Sequence, residues 1–347
     1  MRTFDYTFLE RGLLPASLVN VSNAISELKA LESDRRGRFP DIFSNLESIA
    51  KVQSVKSSNA LEGIMTTDQR IWEIVTRSSA PLNHSEMEIA GYRDALEAIH
   101  TGHSALDIRT EDILALHRTL LSYTPEKGGS YKKADNAVIE ADAFGHRRVR
   151  FAPVSAKETP AAMEQLLLAY MDARSNTEVS QLLLIPCFIL DFLCIHPFAD
   201  GNGRMSRLLS LLLLYKNGFD AGKYISFEEQ INTAKSAYYE ALRQSSLGWH
   251  ENENSYFPFM ENYISALLRC YKELDSRFAV VQGKRITKSR RVEAIVLNSL
   301  LPVSKAEICA RLPDVSPTTV EKVLGDMTRQ GRIKKVGSGR STKYARQ

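Results

Sequence analysis

Residues 180–217 place the strongest constraint on the fold. Residues 180–195, which include "QLLLIPCFILDFLCI", and residues 204–217, "RMSRLLSLLLLYKN", are each apolar around most of the helical circumference. Only "HPFADGNG" separates them, and Gly218 ends the second run. A helix that is apolar on most faces must be covered on most faces, so the pair predicts a helical hairpin at the centre of a larger body. Both runs fall short of a membrane span, and Pro186 and Asp191 interrupt the first.

The rest of the chain supplies the cover. "VNVSNAISELKALESD", "SEMEIAGYRDALEAIHTG", "RTEDILALHRTLLS", "TPAAMEQLLLAYMDARSN" and "PFMENYISALLRCYKELDSRF" repeat apolar residues at three- and four-residue spacings, the amphipathic helical period. Thr110 before Glu111 and Asp112, and Thr159 before Pro160, are expected helix starts. The exception is "KGGSYKKADNAVIEADAFGHRRVRFAPV", whose glycines and β-favouring residues predict a short hairpin. At 347 residues, two or more domains are expected. A composition of 44% hydrophobic and 25% charged residues excludes fibrous and low-complexity classes.

Charge divides the chain. Residues 283–347 carry 15 Lys and Arg against 5 Asp and Glu, whereas the remainder carries 30 against 36, so a basic tail follows a mildly acidic body. Cys187, Cys194, Cys270 and Cys309 have no CxxC or metal-ligand spacing and lie in apolar or helical segments. They are expected to be buried thiols, and the opening "MRTFDYTFLERG" has no signal-peptide pattern, so a cytoplasmic protein with no membrane association is expected.

The polar link between the two apolar runs carries chemistry. Gly201, Asn202 and Gly203 suit a tight turn whose backbone amides converge at the start of the second helix, where unpaired N–H groups and the helix dipole attract anions. Arg204 and Arg207 share one face of its first turn. Cations there oppose the dipole, so an anionic partner explains them better than helix design does, and two guanidiniums can grip a chain of phosphates. Asp200 offers the hard oxygen that Mg2+ prefers, and His196 can take a proton from a hydroxyl near neutral pH. Phe198 is expected to turn into the core and hold the loop. The set describes a phosphate-transfer site.

"HPFADGNGRMSR" matches every fixed position of HxFx(D/E)GNGRxxR, and the chain thereby resembles the Fic (Fido) family over roughly residues 1–275. "FAPV" at 151–154 and "INTAKSAYYEAL" further on extend the likeness. The resemblance implies an all-α Fic-fold body with a small β-hairpin flap. It also implies an ATP-dependent protein adenylyltransferase that moves AMP to a Tyr, Ser or Thr hydroxyl of a protein, or of itself, and releases pyrophosphate. By matching positions, His196 would be the base, Asp200 would hold Mg2+ on the α- and β-phosphates, and Gly201, Asn202 and Gly203 would line the anion turn. Asn202 would touch the α-phosphate, Arg204 the β-phosphate and Arg207 the γ-phosphate. Glycine at 203, where a phosphorylating branch has lysine, favours AMP transfer. The hairpin resembles the family's flap, placed near Lys132 to Phe151 with Tyr131 and Lys132 at its entrance, which pairs main chain to main chain with the target. Tyr238 and Tyr239 resemble residues bordering the adenine, and equally fit plain core aromatics.

Upstream, "SVKSSNALEGIMTT" holds Ser58, Glu62 and Gly63, which resemble the family's inhibitory motif (S/T)xxxE(G/N). The resemblance places Glu62 against Arg207 where the γ-phosphate belongs, a brake acting within the same chain. Some glutamate-containing relatives also remove AMP, and that reverse reaction stands as an alternative.

The expected organisation is a helical region at 1–100 with the inhibitory helix near 55–65, a catalytic core at 101–278, a linker at 279–289, and a winged helix-turn-helix at 290–347. Ser304 with Glu307 predicts a capping box, Ser316 before Pro317 a helix start, and "GSGRS" a closing hairpin. Its positive surplus would suit DNA phosphates, with Thr318, Thr319 and Lys322 near the start of the second helix, though winged helices also dock proteins. A nucleotide-sensing, DNA-binding regulator is the non-enzyme alternative, which an intact His196 disfavours. Relatives often pair through their helical bodies, so a homodimer is an open expectation.

Overall fold

A computed structural model describes residues 2–141, 147–281, 287–297, 299, 302–312, 315–337, 339 and 342–346. The part of the expected flap at 142–146, residues 282–286 of the expected linker, and 338, 340 and 341 of the closing turn lie outside the described residues.

The chain begins α1 (Phe8–Arg11), α2 (Ala16–Arg38), α3 (Pro40–Leu61), α4 (Asp68–Arg77), α5 (His84–Gly102) and α6 (Thr110–Leu120). A hairpin follows, β1 (Val138–Ala141) antiparallel to β2 (Arg147–Phe151). Next come α7 (Thr159–Ser175), α8 (Gln181–Ile195), α9 (Asn202–Lys216), a 3-10 turn at Asp220–Lys223, α10 (Phe227–Thr233), α11 (Lys235–Ser246) and α12 (Phe257–Val281). The fold is predominantly helical with two small sheets. No helix among the described residues is long and apolar enough to cross a membrane.

The two apolar runs are the central hairpin. In α8 and in α9 alike, 13 of 15 residues are buried, so neither helix has a solvent face. α8 packs on α7, α9 and α12, while α9 also meets α3, α5 and α6. Each fully buried Leu, Ile or Phe here contributes roughly 1.5–3 kcal/mol of transfer free energy. α8 continues through Pro186 and stops at Ile195, and α9 starts at Asn202, two residues before its apolar run. Cys187, Cys194 and Cys270 are buried, Cys309 is half-buried, and all four are free thiols.

The carboxyl-terminal residues form α13 (Lys288–Leu297), β3 (Val303–Ser304), α14 (Lys305–Arg311), α15 (Pro317–Arg329), β4 (Ile333–Val336) and β5 (Lys343–Arg346). The strand order β3-β5-β4, with the helices packed on one another and on β4 and β5, is winged-helix-like. Its own apolar cluster includes Val292, Val296, Ile308, Val320, Leu324 and Ile333. Ser304 and Glu307 make the expected capping box, and Ser316 caps α15 ahead of Pro317.

Candidate active site

The loop between α8 and α9 places the chemistry-bearing residues. His196 ends α8 in the left-handed region (φ 53°, ψ 59°), a conformation that costs a non-glycine residue on the order of 1 kcal/mol and persists only where neighbours impose it. Its Nδ1 lies 3.2 Å from the Leu193 carbonyl oxygen. A carbonyl only accepts, so Nδ1 carries the proton and Nε2 keeps a bare lone pair. Burial lowers the imidazole pKa from its ordinary value; the Leu193 carbonyl works the other way, and nearby Lys132 reinforces the lowering. His196 is therefore neutral near pH 7 with Nε2 free to accept a proton.

The turn itself is rigidly made. Gly201 takes φ 80°, which favours glycine, and begins α9 as its cap. Asn202 is buried and its side chain grips Phe198 at both ends, accepting from its N–H at 2.9 Å and donating to its C=O at 2.8 Å. Phe198 is fully buried against His117, Tyr131 and Phe192, as expected. The first intrahelical bond of α9 runs from Met205 N–H to Gly201 C=O, so the amides of Asn202, Gly203 and Arg204 come before the ladder starts.

Two arginines stand at this helix start. Arg204 is 1% exposed, and its Nη2 binds both Asp200 and Glu88 at 2.9 Å. Its Nε and Nη1 are buried without a hydrogen-bond partner among the described residues. Unpaired buried donors cost about 1–3 kcal/mol each, which makes them ready binders of an anion. Arg207 is held three ways: Nε to Ser58 Oγ (2.8 Å), Nη2 to Ser58 C=O (2.9 Å), and Nη2 to Glu62 Oε1 (2.8 Å). Glu62 is the residue that caps α3, and Gly63 follows with φ 79°. A Cβ at position 203 would meet Glu62 Oε1, so the carboxylate lies in space that glycine leaves open.

Two cavities meet at His196, Glu62 and Gly203. One of about 690 Å3 is lined by those residues with Arg207, Tyr238, Tyr239, Leu242 and Lys235, and by Val138, Ile139 and Arg150 of the flap. That volume accommodates a nucleotide-sized ligand. The other, about 260 Å3, is lined by Asp200, Gly201, Asn202, Arg204 and Glu88. Tyr238 is 4% exposed and Tyr239 donates to Leu61 C=O at 3.3 Å, so both are packed residues that also face the cavity. Asp200 is the exposed carboxylate of this cavity, whereas Glu88 is mostly buried against Arg204; no group of three or more His, Cys, Asp and Glu among the described residues could hold a metal ion. One carboxylate beside bound phosphates is the donor set Mg2+ ordinarily accepts.

The structure thus brings Ser58, Glu62, His196, Asp200, Gly201, Asn202, Gly203, Arg204, Arg207, Tyr238 and Tyr239 to one place. Strand β1 starts at Val138, so Lys132 precedes the hairpin rather than belonging to it. Sequence reasoning missed Glu88, Arg150, His117 and Asn136. A buried acid on α5 and a histidine among the apolar positions of α6 were the only signals available for the first and third.

Residues 107–214 match the Fic/DOC family. A Fido domain-containing protein from Dictyostelium discoideum is 33% identical over 138 residues, covering 39% of this chain and 94% of that protein. Protein adenylyltransferase Fic of Nematostella vectensis is 25% identical over 256 residues, 67% of this chain but only 55% of its own length. The crystal structure of a Fic family protein from Desulfovibrio desulfuricans shares the fold, with a TM-score of 0.62 and 21% identity over 96% of this chain and 97% of that one. The central hairpin, its polar loop and these likenesses define a Fido-type helical protein. The chain belongs to the Fic/DOC family.

Proposed function

We propose that the protein is an ATP-dependent protein adenylyltransferase, with Glu62 as its built-in brake. The observation that carries this reading is the pairing of a neutral His196, Nε2 bare, with an anion-ready helix start where Arg204 keeps two buried donors unpaired. ATP in the joined cavities would lay its phosphates along the α9 amides, Arg204 and Arg207, and its base toward Tyr238 and Tyr239. His196 Nε2 takes the proton of a target Tyr, Ser or Thr hydroxyl as the oxygen bonds to the α-phosphorus. The bond from that phosphorus to the bridging oxygen breaks, pyrophosphate leaves, and His196 later gives its proton to solvent. Mg2+ at Asp200 would neutralise phosphate charge. The protein supplies positioning and fixed dipoles, the main sources of rate in such transfers.

Glu62 occupies an Arg207 donor that a γ-phosphate would need, and its carboxylate repels one. The same seat, beside His196, lets Glu62 orient a water, which favours AMP removal as the second reading. The basic carboxyl-terminal residues 290–347 would form a separate docking module for DNA or protein, after a linker following the core. The test is transfer to protein from ATP labelled at the α- or at the γ-phosphate, using Glu62→Gly. Label from the α-position alone supports adenylylation; label from the γ-position alone contradicts it.

A further inference from the structure

The His196 loop is held from outside as well as by the grip of Asn202 on Phe198. Its carbonyls are gripped from outside by the segment that runs from α6 toward the flap. Lys132 Nζ donates to Ile195 C=O at 3.2 Å, and Lys132 N–H donates to Pro197 C=O at 2.9 Å. Asn136 Nδ2 donates to Phe198 C=O at 3.0 Å and lies 3.4 Å from His196 C=O. Four consecutive carbonyls, 195 to 198, thus answer to two residues. Lys132 also donates to Asn136 Oδ1 at 2.7 Å, which joins the two into one clasp. Lys132 is only 4% exposed, and its ammonium sits at the carboxyl end of α8, where a helix dipole favours a cation.

The clasp reaches the flap as well. Asn136 lies two residues before β1, whose Val138 and Ile139 line the larger cavity beside His196. A force on β1 therefore acts on the carbonyls that keep His196 in its left-handed turn, through a link of one amide side chain. α6 completes the grip on the far end of the loop. His117 Nδ1 accepts from Gly129 N–H at 3.0 Å, which leaves Nε2–H to donate to Asp200 C=O at 3.2 Å, and its ring stacks on Phe198 with centroids 3.7 Å apart.

We propose that Lys132 and Asn136 are positioning residues that lock the His196 turn to the first flap strand, so that the imidazole Nε2 and a target segment laid on β1 share one rigid frame. The inference rests on the reading of His196 as the proton acceptor. A hydroxyl delivered along β1 must arrive within hydrogen-bond reach of Nε2, and a misplacement of about 1 Å in such an arrangement costs on the order of 100-fold in rate. Neither residue touches the cavity wall formed by Arg207, Tyr238 and Tyr239, so nucleotide affinity should survive their loss.

The chemistry of Lys132 gives this device a signature. Burial brings its pKa down to about 8, with Asp135 on its own segment working the other way; the titratable group facing it from the motif loop is His196. Above that pH the ammonium loses its charge, and with it the stronger part of its hold on Ile195 C=O. An arginine would keep its charge throughout.

The experiment uses Glu62→Gly as parent, with Lys132→Met, Lys132→Arg and Asn136→Ala added singly. Initial rates of label transfer from α-labelled ATP are measured from pH 6 to 10, with thermal melting and the dissociation constant of a non-hydrolysable ATP analogue. Expected are a kcat at least about tenfold lower in Lys132→Met and Asn136→Ala with analogue affinity within about threefold of parent. Lys132→Arg should restore most of the rate, and should lack the alkaline fall near pH 8 shown by the parent. Unchanged kcat in Lys132→Met, affinity falling in step with kcat, or the same alkaline fall in Lys132→Arg would overturn the proposal. A parent that transfers no label contradicts the transferase reading instead. The clasp is then judged from the His196 ring resonances of histidine-labelled protein, which should shift or broaden in Lys132→Met and Asn136→Ala; unchanged resonances overturn it.

Discussion

Removal of the Glu62 carboxylate should release the enzyme by an amount the Arg207 contacts bound. Glu62 Oε1 accepts one charge-assisted hydrogen bond from Arg207 Nη2 at 2.8 Å, with the guanidinium 3% and the carboxylate 34% exposed. Bonds to charged groups contribute about 1.5–3 kcal/mol, and exposure of one partner to water holds this one to the lower part, about 1.5–2 kcal/mol. At about 1.4 kcal/mol per factor of ten, a γ-phosphate competing for Arg207 gains roughly 10- to 30-fold when the carboxylate is gone. The two Ser58 bonds to Arg207 remain, so the guanidinium stays aimed at the site. Glu62→Gly should therefore raise the initial rate of AMP transfer at subsaturating ATP by about 10- to 30-fold over wild type. Glu62→Gln, which keeps the shape and loses the charge, should fall between them. Initial rates by α-labelled ATP, with melting curves to confirm equal folding, make the measurement. Wild type and Glu62→Gly within twofold of each other would refute the reasoning.

Other consequences follow from the same contacts. Because burial lowers the His196 pKa and the base must be neutral, the rate should hold as pH falls through 6.5 and decline only below it; a log-rate profile of Glu62→Gly with an acidic limb above 6.5 would contradict this. Phe198→Ala empties a fully buried site between His117, Tyr131 and Phe192 and should destabilise the protein by about 3–5 kcal/mol, read as a lower urea midpoint. Asp191, fully buried on α8, accepts from Trp249 Nε1 (2.7 Å), Tyr6 OH (2.8 Å) and Tyr256 OH (2.8 Å) and pairs with Arg2 (3.4 Å). Asp191→Ala strands those donors and the Arg2 charge, so a loss of about 3–5 kcal/mol in chemical denaturation is expected.

The motif was legible because its chemistry is contiguous. Two runs of leucine demand burial, and a histidine, an aspartate and two arginines between them have no apolar excuse. The clasp was not legible. Lys132 and Asn136 look like ordinary polar residues near a hairpin, and their meaning depends on backbone carbonyls some 60 residues away. Glu88 likewise becomes a partner only once α5 crosses the start of α9. The starts expected at Thr110 and Thr159 are where α6 and α7 begin, although Arg109 and Glu158 hold the cap positions and make no side-chain cap bond. Asn202 was placed in a turn, yet the left-handed Gly201 lets the helix begin with it. The Ser58–Glu62–Arg207 contact was readable only as a pair of motifs, since Ser58 and Glu62 four apart are unremarkable until Arg207 is found between them.

The most direct measurement is the intact mass of protein after incubation of Glu62→Gly with Mg2+ and ATP, beside Glu62→Gly/His196→Ala treated identically. The first should gain the mass of one AMP or more and the second none. Unmodified protein in both, with no other protein labelled in a cell extract, or equal modification with and without His196, would contradict the transferase reading.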